Sequence, residues 1–111
     1  MEKLNILWTN ADEAAFDKMV AMYARNAKVH HWWDHVVLII WGSTARLAVD
    51  SDLVALRIRE LLQVGVQVVA CKACSDSLGT TEKLREMGVE VRYMGEELTR
   101  ILKSEEKLLQ I

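Results

Sequence analysis

The chain holds two cysteines, Cys71 and Cys74, and both lie in the stretch VQVVACKACSDSLG at 66–79. An apolar run ends in this Cys-x-x-Cys pair and continues into what reads as a helix start. Covalent chemistry, if the protein performs it, belongs at Cys71, with Cys74 one helical turn further on. A thiol at a strand end just before a helix meets unpaired backbone N–H groups, which favour thiolate over thiol. Lys72 adds positive charge nearby. The competing reading is structural, because a free cysteine also behaves as a small buried hydrophobe. Spacing alone leaves four uses open: a sulfur carrier, a redox dithiol, half of a metal site, or two buried thiols.

Four of the usual chemistries fit poorly. A thioredoxin-type site sets a proline against its dithiol, and this chain contains no proline. Zinc ligation would combine His30 and His35 with Cys71 and Cys74. The histidines precede the second strand and the cysteines follow the third, so parallel strands would hold them on the order of 15–20 Å apart, against a metal–ligand bond of about 2 Å. No metal is therefore expected. The Gly42-Ser43-Thr44 turn could offer N–H and hydroxyl groups to an anion, but neither a Gly-x-Gly-x-x-Gly fingerprint nor a P-loop lysine accompanies it. A response regulator would need an aspartate where Cys71 stands. No cofactor is expected.

The elements that must position the pair alternate through the whole chain. Residues 4–8 read as a strand. Asn10 then looks like an N-cap with Glu13 at the capping-box position, opening a helix whose inward face is Phe16, Met19, Val20, Tyr23 and Ala27. Residues 26–34, with His30, His31, Trp32 and Trp33, read as a loop returning to the opposite edge of the sheet, its aromatic groups suited to packing or a subunit contact. The continuous run at 36–41 has the pattern of a parallel strand covered on both faces. A short helical turn at 45–49, a cap at 50–52 and a helix at 53–64 ending before Gly65 follow, then a strand at 66–70. One helical turn at 75–79, a piece capped by Thr80 or Thr81, a strand at 89–93, a helix at 96–103 and an edge strand at 107–111 complete the chain.

This alternation predicts one α/β domain over 1–111, a three-layer α/β/α sandwich on a mainly parallel five-stranded sheet of flavodoxin-like appearance. In such sheets function gathers at the carboxyl ends of the strands. Asn10, Gly42, Ser43, Thr44, Lys72, Gly79, Met94 and Gly95 are accordingly candidates to line a pocket at Cys71.

Composition narrows the partners. Formal net charge is −2 with both signs interspersed, so nucleic acid and anionic membranes are not expected. The first residues contain only three consecutive apolar side chains, Ile6-Leu7-Trp8, and no run is long enough to span a bilayer, which predicts a cytoplasmic protein. In that reducing compartment a close cysteine pair is a functional feature more often than a staple. Apolar residues form 51% of the chain, a high share for so small a domain, and predict burial between subunits of a homo-oligomer.

Three segments together resemble a known family: the opening at 4–10, the strand at 36–43, and Met94-Gly95-Glu96-Glu97-Leu98-Thr99. The sharpest likeness is VVACKACSDSLG, residues 68–79. These residues resemble the DsrE/DsrF/TusD-like sulfur-relay proteins, including their YchN-like branch. In that family a strand ends in a sulfur-carrying cysteine with a glycine eight residues on, matching Cys71 and Gly79, and the YchN-like branch also has the second cysteine, matching Cys74. The resemblance implies a DsrEF-like sheet between helices, trimers or hexamers, and passage of persulfide sulfur from donor to acceptor proteins on Cys71. Two other functions remain open on the residues: a non-catalytic oligomeric module binding a small ligand, and a thiol redox protein using Cys71 and Cys74.

Overall fold

A computed structural model describes residues 2–111. Five strands, β1 (Lys3–Trp8), β2 (His35–Ile40), β3 (Gln67–Cys71), β4 (Glu90–Arg92) and β5 (Lys107–Gln110), form one sheet in the order β4-β3-β2-β1-β5. Every pairing is parallel. The strands of the middle are near-continuous apolar runs because both their faces are covered, as a parallel sheet requires.

Side-chain alternation divides the core in two. Trp8, Leu38, Ile40, Val68 and Ala70 point to a large cluster completed by Phe16, Val20, Ala24, Ile58, Leu61 and Leu84. Leu7, Val37, Ile39, Val69 and Cys71 point the other way, onto Met94 and Ile101. The first face is covered by α1 (Glu13–Ala15), a π-helical turn at Phe16–Ala21, α2 (Met22–Val29), α3 (Thr44–Asp50), α4 (Asp52–Gln63) and α6 (Thr81–Glu86). The second face has α7 (Gly95–Lys103) alone. Handedness accounts for this asymmetry. The chain steps outward from β1 to β4 with right-handed crossovers on one face, then returns from β4 to β5 in the opposite direction, which puts the last crossover on the other face.

Several local expectations are corrected. The segment after α2 does not return to the opposite edge of the sheet, since β2 pairs directly with β1 in register Lys3↔His35 to Trp8↔Ile40. Helix α2 also runs on to Val29, so the loop begins at His30. The N-cap position of the first helix falls on Asp12, not Asn10, without a side-chain capping bond, and Glu13 does not close a capping box: its carboxylate accepts the Ser51 hydroxyl at 2.5 Å. Ser51 is at the same time the N-cap of α4, taking the Val54 N–H at 3.1 Å, so one hydroxyl ties two helix starts together. The turn expected at 75–79 is longer and begins earlier: α5 spans Lys72–Leu78 and contains Cys74.

Candidate functional site

Loops leaving β1, β2 and β3 lead to helices on one face, and the loop leaving β4 leads to α7 on the other. Neighbouring strands whose exits part in this way leave a crevice at their carboxyl ends, the usual place for a site in an open α/β sheet. Here the parting strands are β3 and β4. Cys71 is the last residue of β3, paired with Arg92 of β4, and Met94-Gly95 begins the exit on the other side.

Both thiols are free, and they differ in access. Cys71 is buried at 5% exposure among the apolar groups beneath α7, whereas Cys74 is half-buried and packs against the same cluster beside Trp41. Burial pushes the Cys71 thiol above its ordinary value, and the adjoining Cys74 side chain pushes the same way. Backbone N–H groups of Cys74 and Ala73 oppose the rise, which is the effect expected of a strand-to-helix junction, but desolvation outweighs them. The helix-start donors expected to activate Cys71 are therefore present, and burial, which the sequence does not display, overrides them. The Cys74 sulfur receives a direct backbone donor: the Gly42 N–H lies 3.3 Å from its Sγ. Gly42 adopts φ +71°, a conformation glycine takes without penalty.

The other sequence candidates have distinct placements. Thr44 is buried, with its hydroxyl donating toward the carbonyls of Trp8 (3.0 Å) and Trp41 (2.8 Å) and accepting the Trp41 N–H (3.1 Å), so it clamps the ends of β1 and β2 together. Ser43 is exposed at the start of α3 without a capping bond, and Asn10 is exposed, its carbonyl accepting the Trp8 indole N–H at 2.8 Å. Met94 is core, 1% exposed, while Gly95 opens α7 at the surface. Gly79 ends α5 in the left-handed conformation at φ +71°. Lys72 directs its ammonium to Asp76 at 2.6 Å and over the ring of Tyr93, 5.1 Å from its centroid, spanning the β3–β4 crevice. These partners raise the Lys72 pKa and hold the Asp76 carboxyl below its ordinary value.

Tyr93, Asp76 and Trp41 were not among the sequence candidates. Asp76 at i+4 from Lys72 was legible as a helical ion pair. The contribution of Trp41 and Tyr93 required knowing which strand ends adjoin.

His30, His31, Trp32 and Trp33 lie at the amino end of β2. His30 stacks on Trp32 at 5.4 Å and Trp33 donates to the Tyr23 hydroxyl at 3.2 Å. His35 opens β2 and Cys71 closes β3, so the register separates the two by about 20 Å along parallel strands. A cleft of about 420 Å³ at the helical surface is lined by Asp17, Met22, Arg25, Arg57 and Glu60, and a smaller one under α7, about 190 Å³, is lined by Lys3, Asn5, Gln67, Arg92 and Glu97 together with Val69, Met94 and Ile101 of the cluster that holds Cys71.

Fold and site together define a parallel α/β protein of the YchN-like fold with two thiols at the strand-end crevice. No family model and no curated protein matches the chain. Among solved structures, a conserved protein of unknown function from Bacteroides thetaiotaomicron superposes with a TM-score of 0.97 at 40% identity, covering 99% of this chain and 95% of that one. The chain belongs to the same family as that Bacteroides protein. The YchN protein from E. coli superposes with a TM-score of 0.70 at 17% identity over 100% of both chains, which shows a shared fold.

Proposed function

We propose that this is a sulfur-relay protein of the DsrE type, which carries persulfide sulfur on Cys71, with Cys74 beside it, between the thiols of donor and acceptor proteins. The observation that carries the reading is the placement of two free, neighbouring thiols at the crevice where β3 and β4 send their connections to opposite faces. The YchN-like fold supports it. A thiolate attacks the outer sulfur of a donor persulfide, the donor S–S bond breaks, and the donor leaves as thiolate. An acceptor thiolate later removes the same sulfur by the same step. Sulfur oxidation state is conserved, so the cycle consumes neither oxidant nor reductant.

Incubation with a small-molecule persulfide, followed by intact-mass measurement, should show added sulfur on the wild-type protein and none on Cys71→Ala/Cys74→Ala. An unmodified wild-type mass would refute the relay. The adjoining free thiols also suit a reversible Cys71–Cys74 disulfide. A dithiol potential within the cellular range, combined with no sulfur uptake, would replace relay with redox chemistry.

As part of the same reading the protein is a cytoplasmic homo-oligomer, a trimer or hexamer. Among the described residues no helix is long and apolar enough to cross a membrane. Met19, Met22, Val29, Trp32, Leu56, Tyr93 and Leu102 are large apolar side chains left at the surface, the material of a subunit contact. Light scattering should give a multiple of the 12.7 kDa chain, and the single-chain mass would refute assembly.

A further inference from the structure

We infer that Cys74 is the thiol that meets the sulfur donor, and that Cys71 is loaded only through it. This rests on the relay reading and assigns an order to its two sulfurs. Three observations carry it. Cys71 is 5% exposed and packs in one cluster with Met94, Ile101 and the sheet, which leaves an incoming persulfide little of its surface to approach. Cys74 lies on the outer side of the same cluster and keeps part of its surface in solvent. Its Sγ also accepts the Gly42 N–H at 3.3 Å, from a backbone whose left-handed turn at Gly42 aims that donor across from the end of β2. That N–H holds the Cys74 sulfur in one orientation, between the end of β2 and the Cys71 cluster.

The sequence of bonds follows. Cys74 thiolate attacks the outer sulfur of the donor persulfide, the donor S–S bond breaks, and the donor thiolate leaves. Cys74–S–SH then stands next to the Cys71 thiol. Cys71 sulfur attacks the same outer sulfur, the Cys74 S–S bond breaks, and the Cys71 proton passes to the departing Cys74 sulfur. The product is a persulfide on Cys71, shielded from water and stray thiols by its burial, and discharge retraces the path. Sulfane sulfur changes hands twice with no net oxidation.

Trypsin cuts after Lys72, so the two cysteines fall on separate peptides, 60–72 and 73–83, and can be followed independently. Brief treatment of the native wild-type protein with iodoacetamide should label the 73–83 peptide at least about tenfold faster than the 60–72 peptide. With a small-molecule persulfide donor, Cys71→Ser should take up sulfur at the wild-type rate and keep it on 73–83. Cys74→Ser should load at least about tenfold more slowly. Wild-type circular dichroism for both variants excludes misfolding as the cause, and the wild-type labelling needs no variant. Equal or reversed labelling, or Cys74→Ser loading at the wild-type rate, overturns the assignment while leaving the relay intact. Absence of uptake by the wild type refutes the relay itself, whatever the labelling order.

Discussion

Trp8→Ala should destabilise the protein by about 3–5 kcal/mol, read as a shift of the urea midpoint followed by circular dichroism. Trp8 is completely buried in β1, between β2 and β5. Its ring packs on Phe16 with centroids 4.2 Å apart, and its indole N–H reaches the Asn10 carbonyl at 2.8 Å. Truncation therefore opens a large cavity at the junction of the sheet with the first helix and removes the indole bond that ties the β1 exit to Asn10. Against a total stability of about 5–15 kcal/mol, that loss is a large fraction of what holds the domain folded. Trp8→Phe retains most of the buried volume and loses the N–H, so it should fall between the two. A loss below about 1 kcal/mol for the alanine variant would contradict the central position of this side chain.

The architecture was legible because the strands obey a period of two or run continuously apolar, and because each is punctuated by polar or glycine residues. The same punctuation located Cys71 at a strand end. What escaped was phase and occupancy. A period of 3.6 residues per turn places Met19 inward, yet the chain makes a π-helical turn at Phe16–Ala21. That wider turn holds an extra residue, so Val20 and Ala21 follow Phe16 into the core and Met19 remains 40% exposed. Likewise Asn10 has capping chemistry, but the chain does not become helical until Glu13, and Asp12 takes the position.

The site shows the same division. Residue type and spacing found the dithiol, whereas its polarity, one thiol enclosed and the other reached by Gly42, depends on how α5 and α7 sit on the sheet. No local pattern encodes that. Thr44 shows the converse: its hydroxyl has the chemistry for a ligand, but three backbone groups of Trp8 and Trp41 occupy it.

A second large effect is expected in acid, and its origin lies at Glu106. The carboxylate accepts Arg100 Nη1 at 2.6 Å and the buried Asn5 amide at 3.1 Å, with Lys3 Nζ at 3.3 Å. Arg100 chiefly, then Asn5, holds its pKa down to about 2 from an ordinary 4.5. Because the folded value lies below the unfolded one, folding favours the carboxylate. The resulting stabilisation is complete above pH 4.5 and is lost as pH falls through about 2. Glu97, paired with Arg100 at 2.5 Å and likewise lowered, contributes in the same direction. These groups join β1, both turns of α7 and the approach to β5, so their protonation should loosen the terminal crossover before the rest of the sheet. Glu106→Gln should flatten the acid limb of a stability–pH profile while leaving part of the slope to Glu97, and an NMR titration of the wild-type Glu106 carboxyl should find its midpoint near 2. Added salt should weaken the effect, since these pairs are partly exposed. A Glu106→Gln profile that falls as steeply as the wild type between pH 4.5 and 2 would show that this cluster does not govern the acid limb.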